Sequence, residues 1–487
     1  MLPQKPESSW STKSSLRIQP LTVAFALVLG GCSAWSPGAP QGPALAIPAA
    51  WSAAALPGGA ATANTATASP LAQWWQRFND PLLSTLVTQA LQANTTVRSA
   101  QAALLQSRAL RDAKSANLVP VVNTSASAQR STSGGNEASN NWRAGFDASW
   151  EPDVFGSMRN ALSATEADAS AAETNLAAVQ VSIAAEVALT YIELRGLQAR
   201  LALARNNLAS QTETQQITDW RVQAGLASAL DLEQARAASA QTSAQIPALE
   251  SSMAQAQHSL AVLTGQAPGA LQATLAAAPS LPQAPGDLAL RIPAETLRQR
   301  PDVRAAEHRI SAALARVAQA DAARYPGFQI SGSVGLSALT LGALSTSGTV
   351  ANALLASVSV PLFDGGAARA QVRAQEAALE QTRMSYQATV LTALKDVEDA
   401  LVALQGDRAR LAWLGVAADA AGNADLLARQ RYASGLIDFR SVLETQRTLL
   451  STQDSVASTR ASLSADHVRL YKALGGGWTP AADPAAP

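Results

Sequence analysis

One structural unit occurs twice in this chain of 487 residues, at an offset of about 210 residues. Short motifs recur in the same order in both halves: Asn94–Arg98 with Arg300–Arg304, Pro120 with Pro326, Arg221–Leu226 with Arg431–Leu436, and Gly265 with Gly475. The first repeat spans residues 71–266 and the second spans 294–475. A connector rich in proline and alanine joins them at 267–293, and residues 476–487 form a C-terminal tail. The fold is therefore predicted to contain an internal duplication.

The first 31 residues have the composition of a secretory signal sequence. Lys5, Lys13 and Arg17 precede an apolar stretch at 21–29, and small residues follow it. This stretch is too short to cross a bilayer as a helix, which needs about 20 apolar residues. Residues 1–31 are therefore predicted to be a signal peptide that is removed during export.

Cys32 is the only cysteine in the chain, so an intramolecular disulfide is excluded. The sequence Leu-Gly-Gly-Cys that ends at this residue resembles the bacterial lipobox, in which the cysteine becomes the first residue and is acylated. Acyl chains contribute about 0.8 kcal/mol per buried CH₂ and hold a protein to a membrane without a spanning helix. Residues 32–70 are then a tether. The alternative is a chance thiol beside a signal sequence.

Segments in both repeats alternate between apolar and polar residues, as β-strands with one buried face do. The clearest runs from Trp142 to Trp150, where Arg143 and Asp147 belong to the polar set. Further strands are predicted near Val119–Arg130, Phe328–Ser337 and Leu354–Val360. About ten residues is the length that crosses a bilayer as a tilted strand. The alternative is a pair of soluble hairpins on a helical body.

A very long helix is predicted after each pair of strands, because no proline occurs at 153–246 or at 362–479. Between Leu176 and Leu208, apolar residues recur in steps of three and four, which is typical of a coiled-coil seam. At about 1.5 Å per residue, a helix from Gly156 to Gly225 is on the order of 100 Å long. That length suits a rod crossing the periplasm, so the chain is predicted to be mainly α-helical with membrane β-strands.

Four strands per chain are too few to close a barrel. An open sheet in lipid would leave edge N–H and C=O groups unpaired, at a cost of several kcal/mol each. The barrel must therefore be shared between chains. Two chains would supply eight strands, whose interior is filled by side chains, whereas three would supply twelve strands and a lumen. The polar set with Arg143 and Asp147 favours a water-filled lumen, and hence three chains.

Three motifs make a family recognisable at this point: Trp74–Leu82 (WWQRFNDPL), Arg300–Glu307 (RPDVRAAE), and the paired glycine turns at Gly225 and Gly435. They resemble the TolC-like outer-membrane efflux family, specifically its lipoprotein branch, which is OprM- or NodT-like. The resemblance covers almost the whole mature chain. It implies a homotrimer in the outer membrane, with a twelve-stranded β-barrel that continues as an α-helical coiled-coil barrel of twelve helices into the periplasm.

The resemblance also implies partners. A periplasmic adaptor, or membrane fusion protein, would dock on the duct, together with an inner-membrane pump that is commonly of the proton-driven resistance-nodulation-division (RND) type. Ser33, which follows the cysteine, fits transport onward to the outer membrane and contact with its lipid. The chain is then a lipid-anchored outer-membrane protein that extends into the periplasm.

Polar residues beside the two glycine turns allow two interpretations. Ser228-x-x-Asp231 and Ser441-x-x-Glu444 have the pattern of capping boxes, which satisfy the first N–H groups of a helix. The resemblance instead implies that residues of these tips form inter-helix links and charged rings that hold the tunnel shut. Asp231, Tyr432 and Glu444 match such positions.

The second tip departs from the family pattern in one place. Related ducts have Asp or Arg two residues after the second tip glycine, whereas this chain has Ile437 there, and Asp438 follows one residue later. The sequence therefore does not determine which acidic residues form the ring that closes the duct.

Little in the sequence supports other chemistry. His258, His308 and His467 stand singly, without the spacing of a metal site, and no phosphate-binding loop or Gly-x-Ser-x-Gly elbow occurs. The 36 basic and 36 acidic residues balance without a long block of one sign, which disfavours nucleic acid as a partner. We expect no enzymatic activity, metal or cofactor.

The sequence thus predicts a passive exit duct of a tripartite efflux system, exporting small toxic compounds across the periplasm and outer membrane. Two alternatives remain: a duct for secreted protein, and a periplasmic coiled-coil scaffold lipoprotein whose strands never enter the membrane. The sequence names neither the substrates nor the particular pump.

Overall fold

A computed structural model of the chain describes residues 71–132, 134, 137–277, 281–283, 294–345 and 349–478. The predicted signal peptide, Cys32, the tether, residues 284–293 of the connector and the end of the C-terminal tail lie outside these residues. The described helices are α1 (Pro81–Ala93), α2 (Thr95–Ala116), α3 (Ser157–Gln223), α4 (Ala229–Leu263), α5 (Pro301–Ala322), α6 (Ala367–Ala433) and α7 (Phe439–Ala473). Shorter helical segments are Trp74–Phe78, Gln272–Leu275, Ala294–Gln299 and Gly342–Ser345.

Equivalent helices of the two repeats have equal lengths. Helices α2 and α5 each have 22 residues, α3 and α6 each have 67, and α4 and α7 each have 35. Their first residues show that α2 maps onto α5 at an offset of 206, and that α3 and α4 map onto α6 and α7 at an offset of 210. The predicted duplication and the long helices are confirmed.

The four strands form one antiparallel sheet in the order β1-β2-β3-β4. They are β1 (Val121–Ser131), β2 (Ser139–Trp150), β3 (Gly327–Ala338) and β4 (Val350–Ser359). Strands β2 and β3 join the two repeats, with Trp150 opposite Ile330 and Trp142 opposite Ala338. Within the described part of the chain, β1 and β4 each have a partner strand on one side only.

The register separates apolar and polar side chains onto opposite faces of the sheet, because successive side chains of a strand point to opposite faces. Phe146 lies opposite Val334 on one face, whereas Asp147 lies between Asn123 and Ser333 on the other. The alternation predicted for the strands is thus continuous across the sheet, and we call its two sides the apolar face and the polar face.

The main core lies where α3 is crossed by α1, the ends of α4 and α7, and the Trp74–Phe78 segment. Trp74 is fully buried and stacks on Tyr471, with ring centroids 5.5 Å apart. The Tyr191 hydroxyl of α3 donates to Asp80 at 2.8 Å. Because Asp80 is the N-cap of α1, this hydrogen bond connects the start of α1 to the long helix. Helix α3 is long and apolar enough to cross a membrane by length and composition, but half of its most apolar window is buried against the protein.

A close approach of β2 and β3 depends on two glycines that face each other, Gly145 and Gly335. A Cβ on Gly145 would lie 2.7 Å from the carbonyl oxygen of Val334. Gly145→Ala should force the strands apart and cost about 1–3 kcal/mol, the usual penalty of overpacking. Gly332→Ala is the matched control, because the nearest atoms to its Cβ would be 3.7 Å away.

For the two variants, Gly145→Ala and Gly332→Ala, the quantity to measure is the fraction of protein that stays folded in SDS without heating. We expect the Gly145→Ala fraction to fall and the Gly332→Ala fraction to match that of the unchanged chain. Equal folded fractions for the two variants would show that the close approach of β2 and β3 is not required.

Candidate functional site at the helix tips and on the polar face

The two tips, at residues 221–231 and 431–441, have the same turn geometry. Gly225 and Gly435 both have φ of 71°, a left-handed conformation that glycine adopts without strain. The same pair of backbone hydrogen bonds closes each preceding helix: Gly225 N to Val222 O and Leu226 N to Arg221 O, and Gly435 N to Tyr432 O and Leu436 N to Arg431 O. These glycines therefore end the long helices and reverse the chain.

The helices that leave the tips are capped by the same two groups in exchanged positions. At α4, Ser228 is the N-cap; its backbone N–H donates to Asp231 at 3.0 Å and its hydroxyl donates to the same carboxylate at 2.7 Å. At α7, Asp438 is the N-cap, and it accepts from the backbone N–H of Ser441 at 3.0 Å and from the Ser441 hydroxyl at 2.5 Å. The capping interpretation of Asp231 is confirmed.

The capping box predicted for Ser441 and Glu444 is wrong. Helix α7 begins at Phe439, so Ser441 lies inside its first turn, and the exposed Glu444 lies one turn further along. The carboxylate of Asp438 takes the capping role because a short acidic side chain at the N-cap accepts the free N–H groups of the first turn. The hydrogen bonds from Ser441 lower the pKa of Asp438, so this cap is ionised at neutral pH and is lost only in acid.

Arg221, at the end of α3, links the two tips. Its guanidinium donates to the carbonyl oxygens of Tyr432 and Ala433, each at 3.2 Å, and lies 4.4 Å from the centroid of the Tyr432 ring. Tyr432 in turn packs against Phe439 with ring centroids 5.5 Å apart. Phe439 belongs to a small buried cluster with Ala235, Ala238 and Leu443. The tip of one repeat is thus held to the tip of the other.

Arg221 and Phe439 were not among the residues expected at the tip. The repeat alignment shows that Arg221 and Arg431 are equivalent, but it does not show which one crosses to the other tip. That choice depends on a contact between residues more than 200 positions apart. Phe439 carries a local signal, since it is the first apolar residue after the N-cap.

The polar face of the sheet carries Arg143 and Asp147, both exposed. Asp147 accepts a hydrogen bond from the Ser125 hydroxyl at 2.7 Å, across the β1–β2 pair. The Ser337 hydroxyl donates to Asn141 at 3.2 Å on the same face. The opposite, apolar face is also exposed. Water would solvate only the polar face and lipid would solvate only the apolar face, so the sheet fits neither environment alone.

The described residues contain no group of three or more His, Cys, Asp or Glu side chains placed to hold a metal ion. His467 is buried in α7, and burial together with Arg408 lowers its pKa to about 4. A neutral histidine in a helix core acts as a packing residue here.

An amphipathic sheet that continues into two long helical hairpins is the fold of a TolC-like outer-membrane channel. The solved structure of the outer-membrane channel OprN matches with a TM-score of 0.83 and 35% identity, covering 90% of this chain and all of that one. The chain matches the family described as Outer membrane efflux protein at residues 86–266 and 292–476, and it belongs to that family. This is a family of channels of the outer membrane.

Two relatives are similar over nearly their whole length. The pyoverdine export outer membrane protein OpmQ of Pseudomonas aeruginosa is 32% identical, over 94% of this chain and 96% of its own length. The toluene efflux pump outer membrane protein TtgI of Pseudomonas putida is 31% identical, over 95% of this chain and 99% of its own. The chain is an efflux channel of the outer membrane that extends into the periplasm.

Proposed function

We propose that three copies of this chain form a passive exit duct for small toxic compounds. The observation that carries the proposal is the four-stranded sheet with one apolar face, one polar face and two open edges. In lipid, these edges must be paired, and a closed ring of strands is the arrangement that pairs all of them. Three chains give twelve strands and leave a lumen lined by the polar face, including Arg143 and Asp147.

A duct of this kind carries out no covalent chemistry and needs no cofactor, so its energy comes from partners. We assign it a periplasmic adaptor and an inner-membrane pump, of the proton-driven RND type. Leu226 and Leu436 occupy equivalent places just after the tip glycines, and both side chains are largely exposed. An adaptor docking on the tips would cover them. The names of the two relatives, which concern pyoverdine and toluene, support small molecules as cargo in preference to secreted protein.

We assign the closed state of the duct to the tips. Asp231, Asp438 and Glu444 place three carboxylates per chain near the turns, and the first two are already engaged in caps. Glu444 is exposed and is the carboxylate available to form a ring with its copies. The link from Arg221 to Tyr432 holds the two hairpins of one chain together at the same level. Opening requires these contacts to loosen.

Single-channel recording in a planar bilayer tests the duct and its gate together. The unchanged chain should give a small, discrete conductance, whereas Asp231→Ala with Glu444→Ala, or Arg221→Ala alone, should raise it severalfold by loosening the tips. Arg236→Ala is the matched control, because Arg236 makes an exposed ion pair with Glu233 on the same helix, and such pairs contribute about 0.2–0.5 kcal/mol.

Each outcome separates the alternatives. Absence of any conductance from membrane-inserted protein in all variants would contradict the duct, whereas a chain that never inserts and is a soluble monomer without Cys32 would favour the scaffold lipoprotein. Conductance that is present but identical in all variants would show that these tip residues do not hold the duct closed.

We also propose that acylated Cys32 is an auxiliary anchor. Twelve strands hold the trimer in the membrane by themselves, so Cys32→Ser with a cleavable signal peptide should still give trimer in outer-membrane fractions, in reduced amount. Mass analysis of the mature N-terminus of the unchanged chain shows whether the lipid is present. Complete loss of membrane trimer in the Cys32→Ser variant would make the lipid essential.

A further inference from the structure

Large apolar side chains are buried at two levels of the long helices α3, α4, α6 and α7, and a polar stretch lies between these levels. At the level of the main core, their burial ends at Leu201 in α3 and at Leu404 in α6. It resumes in the small cluster near the tips, which includes Phe439 and Leu443. The buried polar side chains between the two levels, which we call the polar layer, are Gln211, Thr218, Ser239, Thr242, Asp425 and Gln446, each at most 9% exposed.

Hydrogen bonds between helices show that members of the polar layer lie side by side. The Gln446 amide of α7 donates to the Thr214 hydroxyl of α3 at 3.2 Å. The Ser239 hydroxyl of α4 donates to the Gln215 side chain of α3 at 2.7 Å. The layer therefore crosses three helices at one level.

Asp425 adds the fourth helix to the layer. A Cβ on Gly422 of α6 would lie 3.9 Å from the Leu449 side chain of α7. Helices α6 and α7 run in opposite directions from the tip, so three residues further along α6 meets three residues back along α7, which places Asp425 opposite Gln446. An ion pair of 2.8 Å with Arg429, on the same helix, engages one carboxylate oxygen of Asp425.

Buried atoms without a hydrogen-bond partner are concentrated in and beside this layer. In the described part of the chain, nine buried side-chain nitrogen and oxygen atoms have no partner, and six of them are here: Ser210 Oγ, Gln211 Oε1, Asp425 Oδ1, Arg429 Nε, Tyr432 OH and Gln446 Oε1. The set includes acceptors, a donor and two hydroxyl groups. Buried groups of this kind destabilise the packing unless they are hydrogen-bonded, and water can both donate to them and accept from them.

Turning the Gln446 amide over would not supply the missing hydrogen bond. The Thr214 hydroxyl already donates to the carbonyl oxygen of Ser210 at 2.9 Å, so it can only accept from Gln446. The amide nitrogen of Gln446 therefore faces Thr214, and Oε1 needs a donor from elsewhere.

A polar groove gives water access to the layer. Its volume is about 460 Å³, and Gln211 and Thr242 line it together with Ser451 of α7. Near this groove, α4 contains Pro247, which has no N–H to donate to the carbonyl oxygen of Ser243. Inserted water and proline are both established causes of helix bending.

We infer that water occupies the polar layer, and that the long helices bend there when the duct opens. This rests on the closed state proposed at the tips, and it adds the section that yields behind them. The link from Arg221 to Tyr432 holds the tips of one chain together. The polar layer sets where the helices bend once that link is lost, while the apolar clusters on either side keep their packing.

Hydrogen exchange followed by mass spectrometry, on the full chain in mild detergent, tests the layer without any substitution. Backbone amides at 211–218 and 421–428 should exchange roughly tenfold faster than those at 190–201, because local opening is easiest where few apolar contacts are buried. They should also exchange faster than those at 233–238, which pack in the tip cluster. A rate that rises steadily from the main core to the tips would overturn the inference, because it would show fraying from the free end.

The variant Gln211→Leu with Gln446→Leu tests the bending role. Removing two unpartnered acceptors should slow exchange at 211–218 roughly tenfold. Combined with Arg221→Ala, it should return the single-channel conductance from the raised value of Arg221→Ala to near that of the unchanged chain. Gln216→Leu with Gln430→Leu is the matched control, because both side chains are exposed in the same stretch of helix, and it should change neither quantity.

Slower exchange with no effect on the conductance of Arg221→Ala would overturn the bending role. Equal effects of the buried and exposed pairs would overturn the assignment to the polar layer. If the leucine variant does not assemble, the exchange profile of the unchanged chain still decides whether the layer opens locally. Absence of conductance from every inserted variant would contradict the proposed function itself.

Discussion

Backbone groups in lipid must be hydrogen-bonded to one another, and this requirement governs the assembly of this channel. Strands β1 and β4 each present one edge with no partner strand in the described chain, and each unpaired group would cost several kcal/mol in hydrocarbon. The total over an edge exceeds the stability of an ordinary domain, which is about 5–15 kcal/mol. The sheet is therefore a third of a barrel in the proposed assembly, and the remaining architecture positions that third against its copies.

The duplication builds most of the chain from one unit used twice, with equivalent helices of equal length. The two copies also pack on each other within the chain, where Phe155 stacks on Tyr325 and Arg316 makes an ion pair with Asp168. The two tips also share one kind of helix cap, but the order of its two groups differs. Ser228 with Asp231 and Asp438 with Ser441 exchange the order of hydroxyl and carboxylate, yet both pairs cap a helix just after a left-handed glycine.

The sequence allowed the strands, the long helices and the tip glycines to be predicted, because alternation, absence of proline and glycine turns are local signals. The prediction from sequence failed at the second cap. Ser441-x-x-Glu444 matches the capping-box motif, but Asp438, three residues before Ser441, is the residue that accepts from the first turn of the helix. The link from Arg221 to Tyr432 could not be predicted, since it joins distant parts of the chain through the packing of the two hairpins. Roles in lining or closing the duct depend on copies of the chain and stay predictions.

Native mass spectrometry of the chain, extracted from outer membranes in mild detergent, tests closure of the barrel by three chains most directly. The account predicts a single dominant species with the mass of three chains, stable without any partner protein. A dominant monomer or dimer from membranes that contain the inserted protein would contradict it, because neither leaves twelve strands to close a ring around a lumen.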